Sequence, residues 1–401
     1  MTLHDHQVLQ RGDDEQATVS IDGVGTLTLP TGGPYSTDTA KDVLVGDLWV
    51  LAGQSNMEGV GDLTPAVETP HPLVRAFASR EEWEVASEPL HWLGESPRLI
   101  HRALWGLPMP TAPEPRDPNR AKGAGLGLAF GKAMTEATGV PLGLLPSAHG
   151  GTSMDQWSPS RKAEGGASLY GATLARVQAV GGKVAGILWY QGESDCSPAE
   201  AAAYPARMAE LIASFRADFG QPNLPFYLVQ LGGWVADPLP DSVNGWNAIR
   251  EAQRRLPETI PNCAVVSAID LGLDDGIHIS TDGLKRLGRR LAAVSSGRPS
   301  PKLVSAVYEP ADDQIRVTYA NVQDGLQSAG RPAGFSLRDA DGTERPRVYK
   351  TVFDGSNVLL KLDAEQSPAG LHLWYGWGLF PYCNITDGTD ASLPAFGPVL
   401  I

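Results

Sequence analysis

The stretch Leu48–Gly59, LWVLAGQSNMEG, decides the fold. Leu48–Ala52 is a compact apolar run that stops at Gly53, the pattern of a strand buried on both faces of a parallel sheet. Ser55 follows two residues later. A serine in a tight turn at a strand end can act as a nucleophile with its own N–H close to a developing oxyanion, or it can simply cap the next helix. The segment is not G-x-S-x-G, because Asn56 and Met57 follow the serine.

Downstream, strand and helix patterns alternate. Gly125–Gly139 has helical spacing and closes on a glycine, with Pro141 just beyond. VPLGLLPSA leads into His149-Gly150-Gly151, Ser168–Val180 reads as a helix, and Val184–Gly192 reads as a strand ending in glycine. PAEAAAYPARMAELIASFRADFG reads as a helical pair broken at Pro205. Pro225–Gly233 is a strand, GWNAIREAQRRL a helix and Cys263–Leu271 a strand. In the helix after Ser280, a natural cap, Leu284, Leu287 and Leu291 share a face opposite Lys285, Arg286, Arg289 and Arg290. Such alternation predicts a parallel sheet covered by helices, with the site beyond the carboxyl ends of its strands.

The flanks differ. Residues 1–45 read as a short β segment, with a hairpin signal at Asp22-Gly23, expected to pack with the C-terminal β region. Residues 46–298 form the α/β unit, and residues 299–401, rich in short alternating strands, form a small all-β domain. Asp62–Arg120 is rich in Pro and Trp and reads as a long surface excursion framing a cleft.

Composition narrows the function. The chain has 401 residues, of which 45 glycines and 32 prolines make up about a fifth, and its net charge is −14. An acidic chain disfavours nucleic acid. No apolar run approaches the ~20 residues that would cross a bilayer. The three cysteines, Cys196, Cys263 and Cys383, are far apart, so neither a disulfide framework nor a cysteine zinc site is expected. No metal or organic cofactor is called for. The N-terminus lacks the apolar core of a signal peptide, so the chain as given reads as cytoplasmic, or as secreted if a leader precedes it. Its oligomeric state is not legible.

Other chemistry-bearing residues gather at the expected strand ends. Asp275 and His278 in DDGIHIST have a spacing that lets one carboxylate orient one imidazole, with Asp274 as the rival carboxylate. Gly150 and Gly151 expose backbone amides, and Gln191 offers a side-chain donor. Glu193 is an acid or a loop-fixing acceptor. His149, Trp157 and Trp234 are candidate substrate contacts, the tryptophans as sugar-stacking surfaces, with core packing the blander account of each.

Together these segments resemble the SGNH hydrolases, in particular the branch of sialate O-acetylesterases and acetylxylan esterases. The likeness runs through VLQR (Val8–Arg11), GGPY (Gly32–Tyr35), DVLVGDLWVLAGQSNM (Asp42–Met57), TGVPLGLLPSAHGGTSMDQW (Thr138–Trp157), ILWYQGESD (Ile187–Asp195), WNAIREAQ (Trp246–Gln253), DGIHIST (Asp275–Thr281) and WGLFPYCNI (Trp377–Ile385). The resemblance implies a flavodoxin-like, three-layer α/β fold with an added all-β domain. It implies that Ser55 is the nucleophile, His278 the base and Asp275 its orienting partner. Ser55, Gly150, Gly151 and Gln191 would form the oxyanion hole, with the backbone donor most simply Gly151, while Gln54, Asn56 and Glu193 would support the site or touch substrate. The implied substrate is a small acetylated carbohydrate. A lipase- or thioesterase-like hydrolase using the same residues and a non-catalytic carbohydrate-binding protein are the competing readings.

Overall fold

The computed structural model describes residues 2–21, 25–65, 68–110, 114–363 and 367–401. Nine strands, numbered in chain order, form the central sheet: β1 (Val8–Gln10), β2 (Gly32–Tyr35), β3 (Val43–Gly53), β4 (Val74–Phe77), β5 (Trp83–Val85), β6 (Leu142–Pro146), β7 (Gly186–Tyr190), β8 (Phe226–Gln230) and β9 (Cys263–Ser267). The order is β9-β8-β7-β3-β6-β4-β5, parallel except for β5 at the edge. The strand read from Leu48–Ala52 is the second half of an 11-residue β3, almost wholly buried. Its first half pairs with β1 and β2, its second with β6 and β7.

Every residue of β6 and β7 is buried, so both faces of the sheet are covered. Helices α1 (Ser55–Glu58), α2 (Leu99–Ala103), α3 (Gly127–Thr138), α4 (Leu169–Ala179), α5 (Pro198–Asp218), α6 (Pro240–Thr259) and α7 (Thr281–Ser295) follow in chain order. The predicted face of α7 is the buried one: Leu284, Leu287 and Leu291 have no exposure, and Ser280 Oγ accepts the Gly283 N–H at 3.2 Å. The predicted break in α5 does not occur. Pro205 lies inside one continuous helix with its ring toward solvent, so the lost hydrogen bond falls on the wet face. Helix α6 begins earlier than its apolar pattern suggests, with Pro240 as its first residue.

Two further expectations change. Asp62–Arg120 is not a mere surface excursion: it supplies β4 and β5 to the sheet edge, and Ala86, Leu90 and Ile100 to the main core. The N-terminal segment does not pair with the C-terminal β region. Through β1 and β2 it joins the central sheet, with a small apolar cluster of its own around Leu9, Val43 and Val45. Its hairpin strands Gln16–Ile21 and Gly25–Pro30 are present, while the turn read at Asp22-Gly23 lies outside the described residues.

The C-terminal β region builds one antiparallel sheet from Lys302–Glu309, Gln314–Ala320, Asn357–Leu362 and Val348–Asp354, and a second from Glu344–Arg345, Phe335–Arg338, His372–Tyr375 and Phe396–Leu400. Both contribute to one apolar cluster that includes Val317, Leu360, Leu373 and Tyr375. Arg250 on α6 joins this region to the sheet. Its buried guanidinium donates to the carbonyls of Leu231 and Gly232 on one side, and of Gly376, Gly378 and Leu379 on the other. Gln230 does the same through both ends of its amide: Nε2 donates to Ala395 O and Oε1 accepts the Ala395 N–H, each at 2.8 Å.

Candidate active site

The carboxyl end of β3 turns on Gly53. Its φ is +131°, and a Cβ there would lie 2.1 Å from Tyr190 O on β7, so neither conformation nor space admits a side chain. The turn is pinned by Gln54 N–H to Tyr190 O (2.9 Å) and by His149 N–H to Gly53 O (3.1 Å). The chain then enters the one-turn helix α1. Ser55 is its first residue, so its N–H is one of the first-turn donors that lack an intrahelical acceptor.

Ser55 Oγ lies 3.0 Å from His278 Nε2, although the two residues are 223 positions apart. On the far side of the ring, His278 Nδ1 lies 2.7 Å from Asp275 Oδ2. That arrangement assigns the Nδ1–H to Asp275 and leaves Nε2 to accept the serine proton. Burial pulls the Asp275 carboxyl upward, but the N–H groups of Ile277 and His278, both at 2.9 Å, and the imidazole outweigh it and hold it at about 2. Asp274 faces away: its Oδ2 accepts from the N–H (2.8 Å) and hydroxyl (3.0 Å) of Thr281 at the start of α7.

Glu193 ties these loops together from below. Its half-buried carboxylate accepts Asn56 Nδ2 on Oε1 at 2.9 Å. In the orientation its neighbours require, the Gln54 amide donates to Glu193 Oε2 at 3.2 Å and to Thr152 O at 3.1 Å. Both residues flanking Ser55 are therefore held by one carboxylate. Asn56 Oδ1 in turn accepts the Ile279 N–H at 2.9 Å, next to His278. Burial raises the Glu193 carboxyl above its usual range.

The expected oxyanion donors separate. The Gly150 N–H is taken by Glu58 Oε2 at 2.8 Å. Gln191 has no exposure, and its amide donates to Thr152 O at 3.1 Å and to Asp195 Oδ2. Asp195 is a buried carboxylate that needs those donors, together with the Met154 N–H, and this need turns Gln191 away from the site. Gly151 is exposed, with φ +68°, and its N–H meets no acceptor among the described residues. Sequence reasoning missed Glu58 and Asp195. Each lies about one helical turn beyond a residue it did single out, Ser55 and Gln191, and that spacing was the available signal.

Trp157 is not a sugar platform. It is fully buried, with Nε1 donating to Thr152 Oγ1 at 3.0 Å. His149 is buried too, its Nδ1 3.0 Å from His101 Nδ1, and burial holds it at about 4, so the pair is neutral and one ring donates to the other. Trp234 is half-buried against Trp246 (5.3 Å between rings) and, with Glu193 and Leu239, lines a cleft of about 610 Å³.

A covered parallel sheet with its polar residues assembled beyond the strand ends is the architecture of an α/β enzyme. The chain belongs to the carbohydrate esterase, sialic acid-specific acetylesterase family, whose model matches residues 45–296. It is accordingly a carboxylic ester hydrolase that removes O-acetyl groups from carbohydrates. A probable carbohydrate esterase of Arabidopsis thaliana is 28% identical over 287 residues, which cover 65% of this chain and 95% of the relative. The crystal structure of a carbohydrate acetylesterase from Xanthomonas citri superposes with a TM-score of 0.70 at 24% identity, covering 98% of this chain and 97% of that one. The shared fold thus extends through the C-terminal β region. Among the described residues, no helix is long and apolar enough to cross a membrane.

Proposed function

We propose that the deacetylation is carried out by Ser55, His278 and Asp275 through an acyl-enzyme. The observation that carries this is the pair of contacts on one imidazole: 3.0 Å to Ser55 Oγ and 2.7 Å to Asp275 Oδ2. His278 Nε2 takes the Ser55 proton as Oγ attacks the acetyl carbonyl. Asp275, ionised across the working range, holds the ring and balances the imidazolium. The Ser55 and Gly151 amides are the donors still open to the oxyanion. The tetrahedral intermediate collapses, the sugar oxygen leaves with the proton from Nε2, and water releases acetate by the same route. Residues 46–298 act as the catalytic unit, in line with the match over 45–296.

The test is acetate release from acetylated xylo-oligosaccharides, acetylated monosaccharides and O-acetylated sialic acid, with fluorophosphonate labelling alongside. Wild type should release acetate and label on Ser55, and Ser55→Ala should do neither. Undiminished acetate release by Ser55→Ala would sink the assignment.

A further inference from the structure

A second cleft, of about 940 Å³, runs along α6 where that helix faces the C-terminal β region. None of Ser55, Asp275 and His278 lines it. One wall is helical, with Asn244, Asn247, Ala248 and Glu251; Trp374 and Trp377 stand on the other. The two indoles meet edge to face, 4.5 Å between centroids at 77°, and Arg338 covers one face of Trp377 at 4.5 Å. Both are only half-buried.

Asn247 makes this more than a crevice. It is 4% exposed, and its Oδ1 accepts the Gly378 N–H at 3.0 Å, yet its Nδ2 has no partner among the described residues. A buried amide donor without an acceptor is costly, and here a small shift of the cleft wall would bring it a ligand oxygen. The charges narrow the ligand. Glu251, Glu258, Asp339 and Asp341 line the cleft against Arg255. Glu251 is paired to Arg254 at 2.6 Å, and Asp339 to Arg345. Glu258 in turn faces Arg254 at 3.3 Å and Arg255 at 3.4 Å, so the carboxylates are nearly balanced and the cleft offers no strong field to draw an anionic sugar. Flat aromatic surface beside polar and carboxylate side chains suits the C–H faces and hydroxyls of a neutral sugar. Volume and location both fit a ligand site, since such clefts favour junctions between folded units.

We propose that this cleft is a second saccharide site, holding a neutral oligosaccharide segment of the same glycan that is deacetylated at Ser55. The proposal rests on the esterase reading above. Helix α6 connects the two places. Leu239–Ser242 line the cleft beside Glu193, and residues from Asn244 to Thr259 line the second. At 1.5 Å per residue the helix is about 30 Å long, so one chain of several sugars can follow it.

The test uses the full-length chain. Xylohexaose and cellohexaose, both unacetylated, are titrated calorimetrically into Ser55→Ala and into the double variants Ser55→Ala/Ala248→Trp and Ser55→Ala/Trp377→Ala. In parallel, kcat and KM are measured on acetylated xylohexaose, acetylated methyl xyloside and p-nitrophenyl acetate with Ser55 intact. Ala248 is exposed on α6, so a bulky side chain there blocks the cleft without disturbing the core. The expected result is hexaose binding that each cleft variant weakens at least tenfold. KM for the acetylated hexamer should rise by a similar factor, with kcat and p-nitrophenyl acetate turnover unchanged. Equal hexaose binding in all three proteins, or tighter binding of sialyllactose than of either hexaose, would overturn the proposal. Loss of p-nitrophenyl acetate cleavage in wild type would instead overturn the esterase reading, and hexaose binding would still decide the cleft.

Discussion

Glu193 Oε1 lies 2.9 Å from Asn56 Nδ2, and through that contact a half-buried carboxylate sets the position of the residue beside Ser55. Glu193→Gln replaces one of the two carboxylate oxygens by NH₂, so at either Asn56 or Gln54 a donor faces a donor and the turn at Ser55 shifts. A displacement of about 1 Å costs on the order of 10²-fold in turnover. The expected outcome is a fall of that order in kcat on p-nitrophenyl acetate with KM little changed. The pH dependence has a definite sign. Burial raises the folded pKa above 4.5, so the folded protein holds the anion at a cost that is fully present above the folded pKa and is relieved as pH falls toward 4.5. In urea titrations, wild type should therefore gain stability relative to Glu193→Gln between pH 8 and pH of about 4.5. A constant difference would show that this carboxyl is not perturbed.

Asp275 and Asp274 are neighbours with different work. Asp275→Asn removes the acceptor that fixes the His278 ring, and the loss in kcat should approach the ~10⁴-fold of a disturbed triad. Asp274→Asn weakens an acceptor for Thr281 at the start of α7, and should cost about 1 kcal/mol of stability with activity within several-fold. Steady-state kinetics and thermal melts on both variants distinguish these outcomes, and the reverse ranking would reassign the carboxylate.

The depressed Asp275 carboxyl also fixes a pH window. Its folded pKa of about 2 lies below the ordinary aspartate value of 3.8, so its stabilising contribution is complete above 3.8 and is lost as pH falls through about 2. The stability gap between wild type and Asp275→Asn should be flat from pH 8 to pH of about 5 and close only in stronger acid. A gap that closes near neutrality would contradict the hydrogen bonding seen here.

Gln191 serves Asp195, not the open face of the site. Gln191→Ala leaves that buried carboxylate short of a donor, which costs about 1–3 kcal/mol. The melting temperature should drop together with activity. A loss of 10²–10³-fold in kcat at unchanged melting temperature would instead mark Gln191 as an oxyanion donor.

Much of this was legible in the primary structure because it depended on local pattern. The apolar run before Gly53 marked β3, and the leucines after Ser280 marked the buried face of α7. The pairing of Asp275 with His278 was readable because both sit in one loop. What stayed hidden depended on partners far apart in sequence. Glu58 meets Gly150 across 92 positions, and neither residue carries a periodic trace of the other. Pro205 misled because a proline on the wet side of a helix costs less than the same proline facing the core. The strands Val74–Phe77 and Trp83–Val85 were too short to stand out between prolines and charges. Trp157 was misplaced because a strand-end loop can fold back into the core as readily as it lines a cleft.

Arg250 has a consequence for how the chain can be divided. Five backbone carbonyls, two from the sheet's edge and three from the β region, converge on one buried cation. Cutting the chain after residue 298 would strip that guanidinium of three acceptors and open that side of it to water. The loop Trp234–Val235 would lose a support with them: it reaches Leu379 on one side and Gly276, in the loop of His278, on the other. The C-terminal strands are thus a buttress for the active-site wall, and shortened variants would forfeit the geometry of His278 even where their sheet survived.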